Sequence, residues 1–356
     1  MTEINFEIEE RESKVQLPEK LLFGRTFTDH VFEIDYDAAL GGWHNPTIKK
    51  FSNLKLNPAT ISLHYGQSIF EGLKAYKQVD GKIALFRPEK NFERLNYSAR
   101  KLCMPEIDVD FVLKGLLELI KIDRDWIPTK EGHSLYIRPL LFAADQFIGV
   151  RPADNYKFII MLSPVGPYYP EGFKPVPILA TDKYVRAVRK GVGDCKTAGN
   201  YAASLAAQRD AQKEGFSQVL WLDAIEQKYI EEVGTMNIFI QFKDEVATPK
   251  LTGSILSGIT RMSVLDILKD WKYNVNERLI SIDEVVEAYK KNNLVEIFGT
   301  GTAAVISSVG KLKYHDTILK FSDEHAGELG IKLYEELTGI QYGKKEDRFG
   351  WMTPLE

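Results

Sequence analysis

The chain has 356 residues, a length that suits two domains better than one hydrophobic core. Hydrophobic residues make up 44% and charged residues 27%, as expected for a folded protein with a water-exposed surface. The formal net charge of -4 argues against a nucleic-acid partner, and no apolar run approaches the roughly 20 residues that span a bilayer.

The amino terminus and the cysteine content indicate a compartment. The first ten residues are acidic, whereas secretory signals begin basic and transit segments are rich in arginine. The two cysteines, Cys103 and Cys195, cannot build a disulfide framework and lack the spacing of a metal site. We therefore predict a cytoplasmic protein without a structural metal.

The first half predicts an extension followed by a mixed domain. Residues 1–20 are charged and weakly patterned, so we expect them to lie on the surface as an N-terminal extension. Asp80-Gly81 separates two apolar runs, which is typical of a hairpin. Pro88 opens an amphipathic helix with apolar positions at Phe92, Leu95, Ala99 and Leu102. A second helix and two strands follow, at 113–122, 135–144 and 156–162.

A proline-rich segment divides the chain. Residues 164–177 hold five prolines, which disfavour both helix and sheet interior, so we predict an interdomain linker there. The division gives a small N-terminal α/β domain at 21–163 and a larger C-terminal domain at 178–356. The elements expected in the latter are strands at 178–181, 218–222, 228–233, 237–242 and 294–298, and helices at 200–215, 260–271, 283–290 and 323–337. Strand runs and helix runs are segregated, which predicts an α+β class in two domains with the active site between them.

Three motifs in the second half carry chemistry. They are the runs 193–201, 232–237 and 257–261, and they contain Lys196, Tyr201 and Glu232. An amine can bond to an aldehyde, a carboxylate can pair with a protonated ring nitrogen, and the first amides of a helix can bind a phosphate. Each residue alone is more often an ordinary surface or core residue. The ordered set predicts a pyridoxal-phosphate enzyme.

The motifs also resemble a known family. Glu232 to Phe239, then Ala247-Thr248-Pro249 and the run 255–261, resemble the signature of the class IV aminotransferases, which are fold-type IV pyridoxal-phosphate enzymes with a D-amino-acid aminotransferase-like fold. Further segments resemble, in order, the branched-chain amino-acid aminotransferase: 23–30, 63–72, 135–139 and 298–303. The resemblance extends from about residue 21 to residue 343, nearly the whole chain.

The resemblance implies roles for cofactor-binding residues. Lys196 is expected to form the Schiff base and to move the proton, Tyr201 to contact the phenolate oxygen, and Glu232 to pair with the ring nitrogen. The phosphate is expected to be bound by Ile259, Thr260, Thr302 and, from the other domain, Arg94. Other positions of the same motifs are expected to line the cofactor: Thr235, Asn237, Leu256, Gly258 and Gly301.

Glu231 and Glu232 are neighbours at a strand end. If side chains alternate, one of the two must face solvent. The spacing to Asn237 assigns the site role to Glu232, so we expect Glu231 to be exposed.

The resemblance also implies a substrate pocket. Its walls are expected to come from Phe23, Tyr65, Phe70 and Tyr136, with Val150 supplied by the partner subunit of a homodimer. Aromatic walls suit apolar side chains. Arg138, two residues beyond Tyr136 on the same strand face, would bind the distal carboxylate of glutamate. Backbone amides near Thr302 and Ala303, with the Tyr65 hydroxyl, would meet the α-carboxylate.

The expected activity is ping-pong transamination between leucine, isoleucine or valine and 2-oxoglutarate. The nearest alternative is another class IV member, a D-amino-acid aminotransferase or an aminodeoxychorismate lyase, although those relatives are typically shorter. The alternative from a different class is a non-catalytic binding module that retains the fold. Intact Lys196, Tyr201, Glu232 and Arg94 argue against the second alternative, and an amino-donor panel would separate the others.

Overall fold

The computed structural model describes residues 3–9, 15–167 and 173–355. The chain divides into two compact units. Unit 1 comprises Met1–Tyr168, Cys195–Ala198 and Gly339–Glu356, and unit 2 comprises Tyr169–Asp194 and Gly199–Thr338. Each unit contains one large sheet together with helices, so the predicted α+β class is confirmed. Within the described ranges, no helix is long and apolar enough to cross a membrane.

The elements are numbered in chain order. The strands are β1 (Asn5–Glu7), β2 (His30–Asp37), β3 (Gly42–Lys50), β4 (Ser68–Phe70), β5 (Leu73–Lys77), β6 (Ile83–Phe86), β7 (Ser134–Ala143), β8 (Asn155–Val165), β9 (Val176–Thr181), β10 (Gln218–Leu222), β11 (Ile230–Val233), β12 (Asn237–Phe242), β13 (Val246–Pro249), β14 (Val275–Arg278), β15 (Leu294–Gly301), β16 (Val305–Tyr314), β17 (Thr317–Lys320) and β18 (Met352–Pro354). The α-helices are α1 (Ile61–Tyr65), α2 (Pro88–Lys101), α3 (Val109–Ile122), α4 (Ala198–Lys213), α5 (Ile259–Asp270), α6 (Ile282–Lys290) and α7 (Glu328–Gln341).

Unit 1 is built on a nine-stranded sheet with the order β1-β3-β2-β8-β7-β5-β6-β18, and β4 also pairs with β7. The apolar stripes of α2 and α3 share one core cluster with Leu135 and Ile137 of β7. Because strand side chains alternate, Tyr136 and Arg138 project from the opposite face of the same strand. The helices therefore cover one face and leave these two predicted substrate residues on the other.

Unit 2 is built on a second nine-stranded sheet with the order β11-β10-β9-β16-β15-β12-β13-β14, and β17 pairs with β16. β12 and β15 are antiparallel neighbours, with Asn237 opposite Thr300. Apolar residues of β9, β10, β12 and β15 form its core with α6. This pairing brings the start of the 237–242 strand beside the glycine–threonine run at the end of β15.

Most predicted elements are present, with shifted ends. The hairpin is confirmed, since the amide of Gln78 donates to the carbonyl of Lys82 around the turn at Asp80 and Gly81. The helix predicted at 323–337 begins only at Glu328. The Ser322 hydroxyl accepts hydrogen bonds from the amides of Glu324 and His325, and these bonds hold a turn before the helix. The sequence reasoning missed the strands between 30 and 50 and the long strand β16.

The ends of the predicted linker lie in strands. β8 continues to Val165, with Pro164 opposite Leu135, and β9 begins at Val176. The prediction that no part of 164–177 joins a sheet is therefore wrong at both ends, because a proline can pair where its carbonyl is used and its missing donor is not needed. Residues 168–172 of this segment lie outside the described ranges.

Two stretches of the predicted C-terminal domain belong to unit 1. Thr197 forms a bridge with Ile69, and β18 pairs with β6, so long-range pairing draws both stretches to the first sheet. The contiguous division into 21–163 and 178–356 differs from the compact units at these places. That the larger C-terminal domain binds the cofactor stays a prediction.

Candidate active site

The backbone of Lys196 is fixed within unit 1. Its carbonyl accepts a hydrogen bond from the Phe70 amide at 3.0 Å, and its amide donates to the Ser98 hydroxyl at 3.0 Å. The Thr197 hydroxyl donates to the Ser68 carbonyl at 2.8 Å. The lysine Nζ lies 5.0 Å from the centroid of the Phe70 ring. The amine is thus held against an aromatic wall by a backbone that is tied on both sides.

Arg94 is held by a carboxylate that the sequence reasoning did not assign. Its Nε and Nη2 donate to the two oxygens of Glu71 at 2.7 and 2.8 Å, and Glu71 is fully buried. Arg94 and Ser98 are four residues apart in α2, so both lie on the helix face that serves Lys196. Glu71 stood in the motif Phe70-Glu71-Gly72, but nothing in that motif named its partner.

Aromatic side chains gather around Tyr136. The rings of Phe23 and Tyr136 lie 4.7 Å apart in an edge-to-face arrangement. A Cβ on Gly72 would overlap the Tyr136 hydroxyl, so any larger residue there would displace the Tyr136 side chain. The structure therefore places Phe23 against Tyr136, and the role of these rings as walls of a substrate pocket stays a prediction.

Arg138 joins this aromatic group. Its Nη2 donates to the Tyr136 hydroxyl at 2.9 Å, and its guanidinium lies 4.7 Å from the Phe70 ring centroid. Its Nε is buried without a hydrogen-bond partner in the part of the chain that the structure describes. An arginine in this setting has capacity for an anion, because a bidentate carboxylate would use donors that the protein leaves unused.

Two of the predicted pocket residues are exposed. Tyr65 ends α1 and is 45% exposed, and Val150 lies in the loop between β7 and β8 and is 85% exposed. The exposed fractions of these two side chains do not test whether they contact the substrate.

In unit 2, Glu232 is a buried carboxylate with both oxygens engaged. Oε1 accepts from the Leu256 amide at 2.8 Å, and Oε2 lies 3.2 Å from Nε of Arg186. The Leu256 carbonyl in turn accepts from the Asn237 side chain at 2.8 Å. Three predicted residues, Glu232, Leu256 and Asn237, therefore form one connected group. Arg186, in the loop after β9, was missed because its sequence neighbourhood carries no motif.

The prediction that Glu231 faces solvent is wrong. Glu231 is as buried as Glu232 and accepts a short hydrogen bond from the Ser254 hydroxyl. The two side chains still point to opposite faces of β11, but Ile230 and Val233 of the same strand both lie in the core. Because both faces of the strand are covered, alternation does not expose either glutamate. Burial raises the pKa of Glu231.

The predicted phosphate-binding residues lie at two turns. Gly258 precedes the first residue of α5, so the amides of Ile259 and Thr260 belong to the unpaired first turn of a helix. A Cβ on Gly258 would overlap the Asn237 side-chain oxygen, so any larger residue there would displace Asn237 from its position. Thr302 is partly buried in the turn after β15, beside Gly301 and Ala303.

Three further positions complete the set in unit 2. Tyr201 lies in the first turns of α4 and is partly buried, whereas Thr235 is exposed in the tight turn between β11 and β12. Thr300, which stands in the predicted glycine–threonine turn without a role of its own, has a buried hydroxyl without a partner among the described residues. Its place next to Gly301 makes it a further polar group at the predicted phosphate turn.

Comparisons with known proteins establish the family of this chain. Residues 68–312 match the profile of the amino-transferase class IV family. The chain is 56% identical over 338 residues to branched-chain-amino-acid aminotransferase 2 of Bacillus subtilis (strain 168), covering 95% of this chain and 93% of that protein. The chain belongs to the class IV aminotransferases and, within them, to the branched-chain-amino-acid aminotransferases.

Solved structures show the same fold. The Escherichia coli branched-chain amino acid aminotransferase superposes with a TM-score of 0.78 at 25% identity, covering 92% of this chain and 100% of that one. The T.th. branched-chain amino acid aminotransferase with pyridoxamine 5'-phosphate superposes with a TM-score of 0.77 at 25% identity, covering 93% and 100%. The predicted fold-type IV architecture is confirmed.

Proposed function

We propose that this protein transfers the amino group of leucine, isoleucine or valine to 2-oxoglutarate, reversibly and by a ping-pong mechanism, with pyridoxal 5'-phosphate as cofactor. The family membership and the name of the Bacillus subtilis relative support the reaction. The T.th. relative, whose structure was solved with pyridoxamine 5'-phosphate, supports the cofactor.

The residues present fit this cofactor. Glu232 is a buried carboxylate whose ionised form is supported by Arg186, and the first amides of α5 are open to an anion. Bound pyridoxal phosphate would supply an aldehyde and a ring that stabilises negative charge at the substrate Cα. The residues that would hold it are Arg94, Tyr201, Glu232, Thr235, Asn237, Leu256, Gly258, Ile259, Thr260, Gly301 and Thr302.

The amine of Lys196 carries the proton transfer. Its two backbone hydrogen bonds fix the start of the side chain, and the Phe70 ring limits where Nζ can move. With substrate in the site, this amine would take up and return the proton of the substrate Cα.

Recognition of two different donors rests on a single observation, the contacts of Arg138. Its guanidinium lies against the same Phe70 ring as the Lys196 amine, within about 5 Å of the centroid in both cases. A leucine side chain can pack on these rings, whereas the distal carboxylate of glutamate can pair with the arginine. In the proposed complex, amides near Thr302 and Ala303 and the Tyr65 hydroxyl would meet the α-carboxylate common to both donors.

A second copy of the chain is part of this proposal. The β7–β8 loop exposes Phe147, Ile148 and Val150, and its Phe147 amide is hydrogen-bonded to Ala59 just before α1. Apolar side chains in a loop that is tied down are typical of a surface that a partner covers. We infer a homodimer in which Val150 of one copy completes the pocket of the other, in a cytoplasmic enzyme.

The experiment is an amino-donor panel with 2-oxoglutarate, together with Lys196→Ala and the exposed control Lys183→Ala. Lys196→Ala should abolish transamination and Lys183→Ala should retain it, while both variants keep the wild-type circular dichroism. After borohydride reduction, mass spectrometry should place the pyridoxyl adduct on Lys196. An adduct on another lysine, or a donor panel without branched-chain amino acids, would contradict the proposal.

A further inference from the structure

Arg186 is a buried cation at the centre of a polar group in unit 2. Its side chain is 8% exposed and that of Glu232 is 5% exposed. Its Nη2 donates to the Gly193 carbonyl at 3.0 Å and makes a short hydrogen bond to the Ser254 carbonyl. These contacts hold the guanidinium in one place, and its Nε forms an ion pair with Glu232 that is not a hydrogen bond. The loop after β9 therefore positions a fixed positive charge for that carboxylate.

Glu231 lies next to Glu232 in sequence but in a different setting. Its Oε1 accepts a hydrogen bond from Ser254, and its Oε2 is buried with no hydrogen-bond partner among the described residues. Ser254 thus links the two acids indirectly, since its carbonyl binds Arg186 and its hydroxyl binds Glu231. A buried carboxylate oxygen without a donor disfavours the ionised form.

Burial and two neighbouring acids favour the protonated form of Glu231. Burial is the largest cause that raises its pKa, and Glu232 and Asp223 raise it further, whereas the Ser254 hydrogen bond and the charge of Arg186 lower it; the net direction is upward. One cation cannot neutralise two buried carboxylates. Arg186 pairs with Glu232, which it contacts at 3.2 Å. Glu231 has no such cation and is therefore the acid that takes a proton.

We propose that Arg186 and Glu231 are positioning residues that set the charge of Glu232: Arg186 keeps Glu232 ionised, and Glu231 stays protonated and neutral. This inference rests on the proposed function, because it assigns Glu232 to the ring nitrogen of the cofactor. A permanently ionised Glu232 holds a proton on that nitrogen. Neither Arg186 nor Glu231 needs to touch the cofactor.

The first test uses the apoprotein, so it does not depend on the cofactor or on turnover. The infrared difference spectrum between wild type and Glu231→Gln at neutral pH should contain the band of a protonated carboxyl group. Glu296 is a second buried acid whose pKa burial raises, so Glu296→Gln serves as the control for a different band. A difference spectrum for Glu231→Gln that contains only carboxylate bands would overturn the assignment of the proton.

The second test measures binding of pyridoxamine 5'-phosphate and of its 1-deaza analogue, in which carbon replaces the ring nitrogen. Neither ligand can form a Schiff base with Lys196, and isothermal titration calorimetry measures the affinity of both. Arg186→Met should weaken binding of pyridoxamine 5'-phosphate by roughly ten- to a hundredfold and that of the analogue by no more than about twofold. Arg186→Lys, which keeps the charge, should recover part of the loss.

The control is Arg189→Met, because Arg189 lies in the same loop but pairs with Asp223 and Glu226. It should change neither affinity. If Arg186→Met loses equal affinity for the two ligands, Arg186 has only an architectural role. If it loses affinity for neither, Arg186 has no role in binding. Either result overturns the proposal. If wild-type protein binds neither ligand, the proposed function itself fails, and the infrared result still decides the protonation of Glu231.

Discussion

Two buried arginine–glutamate pairs, one in each unit, have opposite arrangements. In unit 1, Arg94 is the residue predicted to contact the cofactor, and Glu71 forms a bidentate pair with it. In unit 2, Glu232 is the residue predicted to contact the cofactor, and Arg186 pairs with it. Each residue predicted to contact the cofactor is thus paired with a residue of opposite charge.

The two pairs also differ in geometry. Glu71 gives both oxygens to Arg94, whereas Glu232 shares its oxygens between Arg186 and the Leu256 amide. A bidentate pair in a fully buried setting orients the arginine strongly, while the second arrangement holds the carboxylate and leaves its charge to be tuned. The pair in unit 1 should therefore matter most for stability, and the pair in unit 2 most for catalysis.

The largest expected effect is on the stability of unit 1. Glu71→Gln would leave Arg94 buried without its counter-charge, so the free energy of unfolding should fall by roughly 3–5 kcal/mol. Glu93→Gln on the same helix breaks only the exposed pair with Lys90, and should cost at most about 1 kcal/mol. Urea denaturation of the apoproteins measures both. Similar losses in the two variants would remove the contrast between the buried and the exposed pair.

The next effect separates the neighbouring acids in unit 2. Glu232→Gln removes the charge that supports the transition state, and single-turnover rates with leucine should fall by roughly 10²–10³-fold. Glu231→Gln replaces a neutral acid by a neutral amide of the same size, so its rate should fall far less. If the two substitutions slow the reaction equally, then Glu231 is ionised and the division of roles between the neighbours is wrong.

A third arginine, Arg138, sharpens the comparison because no carboxylate among the described residues pairs with it. Arg138→Gln should weaken the glutamate half-reaction by roughly 2–5 kcal/mol, since the distal carboxylate would lose its charged partner. The leucine half-reaction serves as the internal control, because its side chain makes no ionic contact. Single-turnover measurements with each donor separate the two, and equal losses would mean that Arg138 supports the architecture only.

The smallest expected effect is that of Lys74, a buried lysine without the role in the candidate site that the two pairs have. Burial lowers the pKa of Lys74 to about 8, from 10.5. Between these values the unfolded chain binds more protons than the folded one, so stability rises with pH there. The contribution is at most roughly 3 kcal/mol.

The measurement is the free energy of unfolding between pH 8 and pH 10.5, the two pKa values of Lys74. Lys74→Met should flatten the rise relative to wild type, whereas Lys77→Met, at an exposed position of the same strand, should not. A wild-type slope retained in Lys74→Met would show that the lysine is charged in the folded protein.

Elements with a strong local pattern could be predicted from the sequence. Asp80-Gly81 determines a tight turn, and the spacing of Phe92, Leu95 and Ala99 determines the buried face of α2. The strands β2 and β3 pair with each other across a short connection, but their local pattern is weak, and the other partner of β2 is β8, which lies far away in the chain. The same limit applies to the linker ends, where pairing with β7 extends β8 through Pro164.

The chemical groups of the candidate site followed from the sequence alone. Lys196, Glu232, Asn237 and Arg138 stand in motifs whose residue types and order are local properties, and the pocket aromatic residues Phe70 and Tyr136 came with them. What surrounds these groups was decided by tertiary structure. Arg186 reaches Glu232, Glu71 reaches Arg94, and Ser98 binds the Lys196 amide only because sheets and helices bring distant segments together. Charge state depends on such neighbours and on burial, so the sequence identified the acids, and the fold determined which of them is charged.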